Sequence, residues 1–396
     1  MQLRYNFPMI LRTAHNTLMR LAKGFPVLAI TGPRQSGKTT LAKSAFPDKP
    51  YLTLEDPDTR LFAENDPRGL LASYPEGLIL DEAQRAPQIF SYLQGVVDNH
   101  LVSGKYILTG SQQFGLLSGI TQSLAGRVGM VQLLPFAMDE LLAAGILPDT
   151  ADQLMLYGMY PPLYDRDLAP ADWFPAYINT YIERDVRQLI NVRDLSAFQR
   201  FVRMCAARCG QLLNLSSLAT DCGISHNTAA AWLSVLEASY IIFLLRPHFS
   251  NFNKRLVKTP KLYFLDTGLA AWLLGIREQG QMAFHAQRGA LFENLVITEF
   301  LKGRFNQGQQ ADLYFWRDSR GLEVDLLLDD GASLTPVEIK SGQTIAADSL
   351  TSLKKWCELS GTTESPALLV YGGNRELANG NIAIIPWRKL AELTAR

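Results

Sequence analysis

No stretch of this 396-residue chain is apolar over the roughly 18 residues that a helix needs to cross a bilayer. The N-terminal segment carries Arg4, Arg12 and Arg20 among polar residues, and it lacks the apolar core of a secretory signal. These absences argue against a membrane-spanning or secreted protein. We therefore expect a cytoplasmic protein with no membrane partner.

Cysteine is scarce, with four in the chain. Cys205, Cys209, Cys222 and His226 have a spacing that resembles a zinc finger. However, Cys205 and Cys209 fall in a helical stretch, and Cys222 precedes a glycine typical of a turn between helices. We expect buried free thiols, no zinc and no disulfides.

An excess of either charge is also missing, because 38 Lys and Arg residues balance 38 Asp and Glu residues. Net charge therefore neither indicates nor excludes a polyanionic partner. Residues 200–261 are locally basic, since only Asp221 and Glu237 oppose eight basic residues, and this excess favours nucleic-acid binding. The alternative is an inert solvated surface. The eight are Arg200, Arg203, Arg208, Arg246, Lys254, Arg255, Lys258 and Lys261.

The chain is too long for one typical hydrophobic core, and its length predicts two to three domains. Its first third alternates helical stretches with short apolar runs, which is typical of the buried strands of a parallel sheet. The predicted strands are 27–30, 51–54, 78–80, 106–108 and 128–133.

The segment after the first predicted strand fits the phosphate-binding pattern G-x-x-x-x-G-K-[ST] in full. Its glycines permit a loop whose N–H groups surround a phosphate, and the following helix adds its positive dipole end. Lys38 is expected to contact the β- and γ-phosphates, and Thr39 to ligate Mg²⁺. The predicted ATP-binding residues are Gly32, Pro33, Arg34, Gln35, Ser36, Gly37, Lys38, Thr39 and Thr40.

A second apolar strand ends in Asp81-Glu82, about 40 residues after the lysine of the loop. This places Asp81 at the carboxyl edge of the sheet, where we expect it to hold the Mg²⁺ shell. Glu82 is the candidate general base that orients and deprotonates the attacking water. The adjacent Glu predicts ATP hydrolysis rather than kinase or GTPase activity.

The strand at 106–108 also ends in polar residues, as a sensor strand beside a γ-phosphate does. Ser111 is the first candidate sensor and Thr109 the second. Arg127 follows Gly126 and precedes the next strand, so it is a candidate arginine finger that acts on a neighbouring subunit in a ring or spiral. The alternative for Arg127 is a structural ion pair.

Residues 214–228 predict two helices joined by a turn at Gly223, with Ser216 and Ser225 as N-cap candidates. An apolar stripe follows at helical spacing, and later short runs predict the strands of a wing. We interpret this unit as a winged helix that binds DNA, with an alternative role in packing or subunit contact. The predicted DNA contacts are Ser225, His226, Asn227, Thr228, Lys254 and Arg255.

Three carboxylates and a lysine recur at suggestive positions in the last third: Glu293, Asp325, Glu338 and Lys340. Glu293 lies in the predicted helix 289–302, and the others lie in the predicted strands 323–328 and 334–339 or directly after them. The carboxylates predict a site for Mg²⁺ or Mn²⁺, with Lys340 as a catalytic group. The alternative is a domain of the same fold that binds without cleaving.

Several stretches together resemble a family of prokaryotic AAA-type ATPases whose C-terminal domain of unknown function is similar to PD-(D/E)XK nucleases. These are GPRQSGKTT (32–40), LILDEAQ (78–84), ILTGSQ (107–112), SLAGRV (123–128), YIERDVR (181–187), KTPKLYFLDTGL (258–269), RGALFENLV (288–296), YFWRD (314–318), EVDLLL (323–328) and VEIKSG (337–342). The resemblance implies ATP binding and a nuclease-like fold, without naming a substrate.

We therefore predict an α/β protein with a P-loop AAA-type core at 1–150 and a helical lid or linker at 151–199. A winged helix at 200–262 and a nuclease-like α/β domain at 263–396 follow. The expected function is an oligomeric, ATP- and Mg²⁺-dependent motor or switch acting on branched, damaged or invading DNA. The rival is a regulatory or signalling ATPase whose downstream domains bind protein partners and do not cleave DNA.

Overall fold

The computed structural model describes residues 9–99, 102–111, 120, 123–166, 168–182, 194–249, 256–346 and 348–395. None of the helices in these residues combines the length and the apolarity of a membrane span. Its α-helices are α1 (Ala14–Ala22), α2 (Lys38–Ala45), α3 (Pro57–Asn65), α4 (Pro67–Ala72), α5 (Ile89–Asn99), α6 (Met138–Ala143), α7 (Ala151–Tyr157), α8 (Pro161–Asp165), α9 (Pro170–Tyr177), α10 (Leu195–Ala207), α11 (Leu215–Cys222), α12 (His226–Ala238), α13 (Thr267–Leu273), α14 (Gln279–Phe284), α15 (Arg288–Asn306), α16 (Thr351–Ser360) and α17 (Leu390–Leu393).

The strands of the described residues form two sheets. They are β1 (Val27–Thr31), β2 (Tyr51–Thr53), β3 (Ile79–Asp81), β4 (Tyr106–Gly110), β5 (Val128–Gln132), β6 (Ile242–Pro247), β7 (Lys261–Phe264), β8 (Leu313–Arg317), β9 (Glu323–Asp329), β10 (Leu334–Lys340), β11 (Ala367–Tyr371), β12 (Leu377–Asn379) and β13 (Ile382–Pro386). Short β12 has no counterpart among the predicted strands, since its three residues are all exposed and carry no apolar alternation.

The first sheet has five parallel strands in the order β2-β3-β4-β1-β5. Every residue of β1 and β4 is buried, as expected for strands that helices cover on both faces. Because all five strands run in one direction, the ends of β1, β3 and β4 meet at the same carboxyl edge. The predicted parallel α/β core is thus present.

The middle unit contains the predicted pair of helices, α11 and α12, separated by Gly223 in the left-handed conformation. Ser225 caps α12, as expected, by accepting a hydrogen bond from Thr228 N. At the start of α11 the expectation was wrong, because the cap is Asn214, whose side chain accepts from Ser217 N. Ser216 lies within the helix. The predicted apolar stripe of α12 is buried: Ala229, Trp232, Leu233 and Leu236.

Strands β6 and β7 form an antiparallel pair directly after these helices, where the strands of a wing were expected. They also belong to the second sheet, of eight strands, whose order is β12-β13-β11-β10-β9-β8-β6-β7. The end of β6 pairs with β8 in parallel. The predicted division at 262/263 falls inside β7, and the one at 199/200 falls inside α10, so each division cuts an element of secondary structure. The winged-helix and nuclease-like folds remain predictions.

Helix α15 runs through the largest apolar core, which extends from Leu134 to Ala391. Of its 19 residues 13 are buried, so it contacts protein on nearly every side. Its Asn294 donates to Phe264 O and accepts from Phe264 N, at 2.8 Å in both cases, and it also accepts from the thiol of Cys209. The linker, the helical unit and the C-terminal sheet therefore share one core.

A buried ion pair on α15 holds the segment that follows the first sheet. Lys302 Nζ lies 2.7 Å from Glu299 Oε1 and donates to Phe136 O, while Glu299 Oε2 accepts from Met138 N. Glu299 is 0% and Lys302 2% exposed. Two charges this deeply buried are tolerated because each is paired and hydrogen-bonded.

We predict that Lys302→Met lowers the free energy of unfolding by about 3–5 kcal/mol, because it leaves the Glu299 carboxylate buried without a counter-charge. Urea unfolding of the variant and of the exposed control Lys354→Met measures the difference. A loss at position 302 that equals the control's would contradict the inferred role of the pair.

Candidate functional site

The predicted phosphate-binding loop joins β1 to α2 at the carboxyl edge of the first sheet. Gly32 has φ +148°, and a Cβ there would lie 2.0 Å from the carbonyl oxygen of Leu133. Gly37, with φ +92°, is left-handed and directly precedes α2. Both positions therefore require glycine, and the loop they shape opens at a helix N-terminus that favours an anion.

Two polar side chains lie buried within this loop. Lys38 Nζ donates to the carbonyl oxygens of Gly32 and Pro33, at 3.0 and 2.7 Å. Ser36 is fully buried, and its Oγ has no hydrogen-bond partner among the described residues. A loop that carries a cation and an orphaned hydroxyl fits a phosphate group as its ligand.

The other predicted loop residues have different surroundings. Arg34 Nη1 lies 3.8 Å from Glu55 Oε1. Gln35 Oε1 accepts a 2.9 Å hydrogen bond from the indole of Trp173 on α9, so the linker touches the loop directly. Thr40 is exposed on α2.

Asp81 is the meeting point of three hydroxyl groups. Thr39 Oγ1 lies 3.1 Å from Asp81 Oδ1, Tyr51 OH donates to Oδ2 at 2.8 Å, and Thr109 Oγ1 donates to Oδ1. Burial, together with the hydrogen bond to Asp81, raises the pKa of Tyr51, so this hydroxyl stays a donor. The predicted pair Thr39 and Asp81 is thus brought together, with Thr109 beside it.

Glu82 is buried in a left-handed conformation, with φ +55° and ψ +43°. A non-glycine residue in this region costs about 1–3 kcal/mol, a strain that is frequent at functional sites. Its Oε2 accepts from Gln84 at 2.5 Å and from Ser111 Oγ at 3.1 Å. The two candidate sensor residues therefore divide between the carboxylates, with Ser111 on Glu82 and Thr109 on Asp81.

Sequence reasoning missed three residues around the loop. Arg12 donates to Ser36 O at 2.6 Å and lies 3.0 Å from Glu140 Oε1, which clamps the loop from outside. Tyr51 binds Asp81, and Tyr240 OH donates to Thr31 Oγ1 at 3.0 Å. Contacts between elements this far apart in sequence leave no local signal.

Arg127 precedes β5 at the amino edge of the sheet, because its carbonyl pairs with Val27 N at the start of β1. A five-residue strand spans about 16 Å, so the side chain lies far from its own phosphate-binding loop. Its guanidinium binds Asp98 at 2.5 and 3.0 Å, and this bond lowers the pKa of Asp98. An arginine-finger role in trans remains a prediction, and it requires this pair to open.

The start of α12 is accessible. Ser225, His226 and Asn227 are exposed, and Thr228 is half-buried. The hydroxyls of Ser225 and Thr228 lie 2.8 Å apart and cap the helix, so His226 and Asn227 carry the side chains that capping does not use. Lys254 and Arg255 lie outside the described residues.

The locally basic stretch is less available than its composition suggests. Lys261 is 3% exposed and contacts Glu293 and Glu323 at 2.9 and 2.5 Å. Arg208 forms an ion pair with Asp221. The interpretation of Lys261 as part of a basic surface was wrong, because it is buried between two carboxylates. Half-buried Arg208 is neutralised by Asp221, which the count of opposing charges already included.

The carboxylates predicted in the last third converge between α15 and the second sheet. Asp325 on β9 accepts a 2.8 Å hydrogen bond from Ile339 N on β10, beside Glu338. Lys340 Nζ lies 2.5 Å from Glu338 Oε1. The charges of Glu293 and Glu338 both act on Asp325, so the four predicted side chains form one cluster.

This cluster has members that the pattern did not include. Lys261 joins Glu293 to Glu323, Tyr263 OH donates to Glu293 Oε1 at 2.5 Å, and Arg317 binds Glu323 at 2.8 Å. The sequence around Lys261 and Tyr263 does not indicate their contact with Glu293, because that contact requires β7 to lie beside α15.

Electrostatics in the cluster oppose full ionisation. Burial raises the pKa of Asp325 well above its ordinary value, and the charges of Glu293 and Glu338 raise it further. Burial also raises the pKa of Glu338. Within the described part of the chain, no group of three or more His, Cys, Asp or Glu side chains is arranged to hold a metal ion. Lysine ammonium groups contact the carboxylates instead, so the residues as arranged do not fit the predicted metal.

Comparison with known families identifies three segments. Residues 24–142 match an AAA domain, and residues 148–280 and 288–390 match two domains of unknown function, DUF8612 and DUF4143. The prediction of an AAA-type ATPase is thus confirmed, whereas the nuclease-like character of the last segment stays a prediction.

Two curated relatives extend over most of the chain. The uncharacterized proteins Rv2008c of Mycobacterium tuberculosis and Mb2031c of Mycobacterium bovis are each 32% identical over 339 residues. Each alignment covers 84% of this chain and 74% of the relative.

Solved structures resemble the chain more weakly. The Walker-type ATPase PABY2304 of Pyrococcus abyssi has a TM-score of 0.44 at 16% identity, covering 69% of this chain and 99% of its own. A variant of RuvB of Thermotoga maritima has a TM-score of 0.29 at 16% identity, and the match covers 59% of this chain and 88% of RuvB. DnaA of Aquifex aeolicus, bound to AMPPCP, has a TM-score of 0.30 at 15% identity, and the match covers 57% of this chain and 85% of DnaA. Scores this low carry no argument about function.

We predict that Asp325→Asn raises stability in metal-free buffer by about 1 kcal/mol. A carboxyl whose pKa is raised by folding costs stability at neutral pH, whether it stays ionised beside two carboxylates or takes up a proton, and the amide avoids this cost. The asparagine oxygen still accepts from Ile339 N. Calorimetric Tm values are compared with those of the exposed control Asp348→Asn.

Repeating the scans with Mn²⁺ tests the fit of the metal. We expect no change in either protein, because lysines already contact these carboxylates. A Tm increase in the wild type that Asp325→Asn lacks would restore the metal site that the sequence predicted.

Proposed function

The chain belongs to the same family as the mycobacterial proteins Rv2008c and Mb2031c, and from that premise we propose that it hydrolyses ATP with Mg²⁺ and acts on DNA. The AAA domain at residues 24–142 supports the first part. The observation that carries it is the convergence of Thr39, Tyr51 and Thr109 on Asp81, beside the loop of Lys38.

In this proposal the loop binds the phosphates of ATP. The N–H groups of the loop and the helix dipole of α2 attract the anion, and Lys38 exchanges its bonds to Gly32 and Pro33 for phosphate oxygens. Buried Ser36 Oγ gains a partner, which it lacks among the described residues.

Thr39 and Asp81 would hold the magnesium ion. When bound, Mg²⁺ neutralises charge on the phosphate oxygens. The chain prepares its place by directing three hydroxyls at one carboxylate, and Tyr51 and Thr109 keep Asp81 oriented.

Glu82 is the proposed general base. A base must lie within hydrogen-bond reach of the attacking water and keep its orientation. Ser111 and Gln84 both donate to Oε2, which leaves Oε1 to take the proton of water. The strained backbone of Glu82 fits a residue positioned for chemistry rather than for stability.

The proposed DNA contact is the exposed start of α12. His226 and Asn227 are short polar groups at the N-terminus of the second helix, where helix-turn-helix proteins read bases and bind phosphates. Arg200 and Arg203 on α10 and predicted Lys254 and Arg255 would serve phosphates.

Two hydrogen bonds connect the linker and this helical unit with the nucleotide site. Tyr240, in the turn after α12, donates to Thr31 at the end of β1, directly before the phosphate-binding loop. Trp173 of the linker donates to Gln35 within the loop. A displacement of the loop by nucleotide therefore acts on the helical unit through direct contacts, and a motor or switch needs such coupling.

The proposed assembly is a ring or spiral of identical subunits. Arg127 is far from its own nucleotide, so it can serve as an arginine finger only at a neighbour's site. No cleavage of DNA is included in the proposal, because lysines contact the C-terminal carboxylates Glu293 and Glu338.

We predict that Lys38→Ala abolishes ATP binding, whereas Glu82→Gln keeps binding and lowers turnover at least about 100-fold, the lower range for a general base. The two residues serve different stages, phosphate binding and water activation. Nucleotide binding by calorimetry and phosphate release are measured for both variants and for the exposed control Glu76→Gln. Turnover of Glu82→Gln within about threefold of wild type, a barrier change of only ~0.7 kcal/mol, would falsify the assignment.

We predict that the double change His226→Ala and Asn227→Ala weakens binding to DNA about tenfold or more, since each lost contact is worth about 1–3 kcal/mol. Fluorescence anisotropy with linear, forked and four-way DNA, over a range of salt, gives the affinity and the salt slope. Asn65→Ala, an exposed change on α3, is the matched control. If the wild type shows no salt-dependent binding to any of these DNAs, the rival role as a regulatory ATPase takes its place.

A further inference from the structure

Arg85 lies beside the nucleotide site, at the carboxyl edge of the first sheet. It ends the short 3₁₀ turn Ala83–Arg85, which begins directly after the proposed base Glu82. Its backbone N–H donates to Glu82 O at 3.0 Å, and neighbouring Ala83 and Ala86 are fully buried. Packing therefore holds the turn in place, and the turn fixes the position of Arg85 relative to Glu82.

A shared carboxylate brings the side chain of Arg85 next to the phosphate-binding loop. Glu55 Oε1 lies 3.5 Å from Arg85 Nη2, and it lies 3.8 Å from Nη1 of Arg34, a residue of the loop. Glu55 directly follows Leu54, whose N–H donates to Asp81 O at 3.0 Å. Two guanidinium groups, one from the loop and one from the turn after β3, therefore lie together near the end of β3.

The groups that would receive the γ-phosphate adjoin these two arginines. Lys38 Nζ, which is expected to contact the β- and γ-phosphates, donates to Pro33 O at 2.7 Å, and Arg34 is the next residue of the loop. Asp81, the proposed holder of Mg²⁺, is the residue directly before Glu82. Arg85 is thus connected to the phosphate site from two directions, through Glu55 to the loop and through its own turn to the base.

The contact between Arg85 and Glu55 is weak. Its length of 3.5 Å exceeds that of a good N–H···O hydrogen bond, and the side chain of Glu55 is 54% exposed. Ion pairs this exposed stabilise a protein little, because water screens them. Among the described residues, Arg85 has no other ion pair or side-chain hydrogen bond. A γ-phosphate, which has three acceptor oxygens and more charge than a carboxylate, would therefore attract this guanidinium away from Glu55.

We propose that Arg85 is a catalytic residue that leaves Glu55 and contacts the γ-phosphate of ATP bound to its own subunit, an inference that rests on the proposed ATP hydrolysis. In that reaction the oxygen of water bonds to the γ-phosphorus, and the bond from this phosphorus to the bridging oxygen breaks. The bridging oxygen keeps the electron pair and leaves with ADP, while the proton of water passes to Glu82 and then to solvent. Negative charge shifts among the phosphate oxygens as the bond breaks, and the guanidinium stabilises it.

This role differs from that of Arg127 in the subunit that supplies the arginine. Arg127 lies at the amino edge of the sheet and requires a neighbouring subunit. Arg85 belongs to the subunit whose loop binds the nucleotide, so its contribution does not require an assembly.

The test measures three quantities for the full chain: turnover of MgATP, affinity for a non-hydrolysable ATP analogue, and affinity for ADP with aluminium fluoride, which mimics the transferring phosphoryl group. Arg85→Ala is expected to lower turnover and the affinity for the mimic at least about 100-fold, the lower range for one charge-stabilising donor. Affinity for the ATP analogue is expected to fall less than tenfold, because the contact strengthens in the transition state. Arg68→Ala, an exposed change on α4, is expected to match the wild type in all three quantities.

Glu55→Gln distinguishes this role from a structural role of the ion pair. Since Glu55 and the γ-phosphate compete for Arg85, the variant is expected to bind the ATP analogue about two- to fivefold more tightly, a range that matches an exposed pair. A loss of turnover in Glu55→Gln as large as that in Arg85→Ala would show that the pair is structural, and it would overturn the proposal. If Arg85→Ala has a lowered Tm, Arg85→Lys takes its place, with turnover at least tenfold below the wild type expected because lysine lacks the fork of donors.

Failure of this inference is distinguishable from failure of the ATP site. Turnover of the Arg85 variant within about threefold of the wild type, with binding of the ATP analogue intact, overturns the role of Arg85 and leaves ATP hydrolysis standing. Absence of ATP binding or hydrolysis in the wild type overturns both.

Discussion

The buried pair of Glu299 and Lys302 is the interaction on which the arrangement of this chain depends. Together the two side chains hold the backbone of Phe136 and Met138, so helix α15 is fixed to the segment that leaves the first sheet. Nearer the start of the same helix, Asn294 forms hydrogen bonds with Phe264 of β7. A pair of buried charges tolerates little displacement, because a longer separation would expose each charge to an apolar surrounding without compensation. Helix α15 therefore connects the nucleotide-binding unit directly to the second sheet through these contacts.

The phosphate-binding loop and the strand before it also contact side chains from distant parts of the chain. Arg12 holds it from the N-terminal side, Trp173 from the linker, and Tyr240 holds the strand end at Thr31. Close-packed interiors have discrete alternatives rather than continuous deformations. A change of the loop between nucleotide states would therefore act on these three side chains. Tyr240 is the most informative of them, because its own backbone is left-handed and the preceding helix, α12, begins with exposed polar residues that were predicted to contact DNA.

The nucleotide site was predictable where its chemistry is local. Lys38 belongs to a continuous motif, and Asp81 and Glu82 follow an apolar strand, so the sequence alone placed them at one sheet edge. Tyr51 and Arg12 were beyond such reasoning. Tyr51 reaches Asp81 because β2 lies beside β3, and strand order is decided by packing between distant segments rather than by any pattern within one of them. The strands themselves were predictable because an apolar run indicates a buried strand. Their order was not, because such a run does not indicate which strand lies next to it.

The C-terminal cluster shows how far a charge pattern can mislead. Lys261 counts as a basic residue in a basic stretch, yet in the fold it lies buried between Glu293 and Glu323. Its ammonium group, and that of Lys340 on Glu338, compensate carboxylate charge in the way that a bound cation would. Burial alone would lower the pKa of Lys261, but the surrounding carboxylates raise it, so it remains charged. A metal ion entering here has to displace an ammonium group that is already paired, and the net gain is the difference between two attractions rather than the whole of one. The same three carboxylates and lysine in sequence are thus compatible with a metal site and with a metal-free ion-pair network, and the position of Lys261 on a separate strand favours the second.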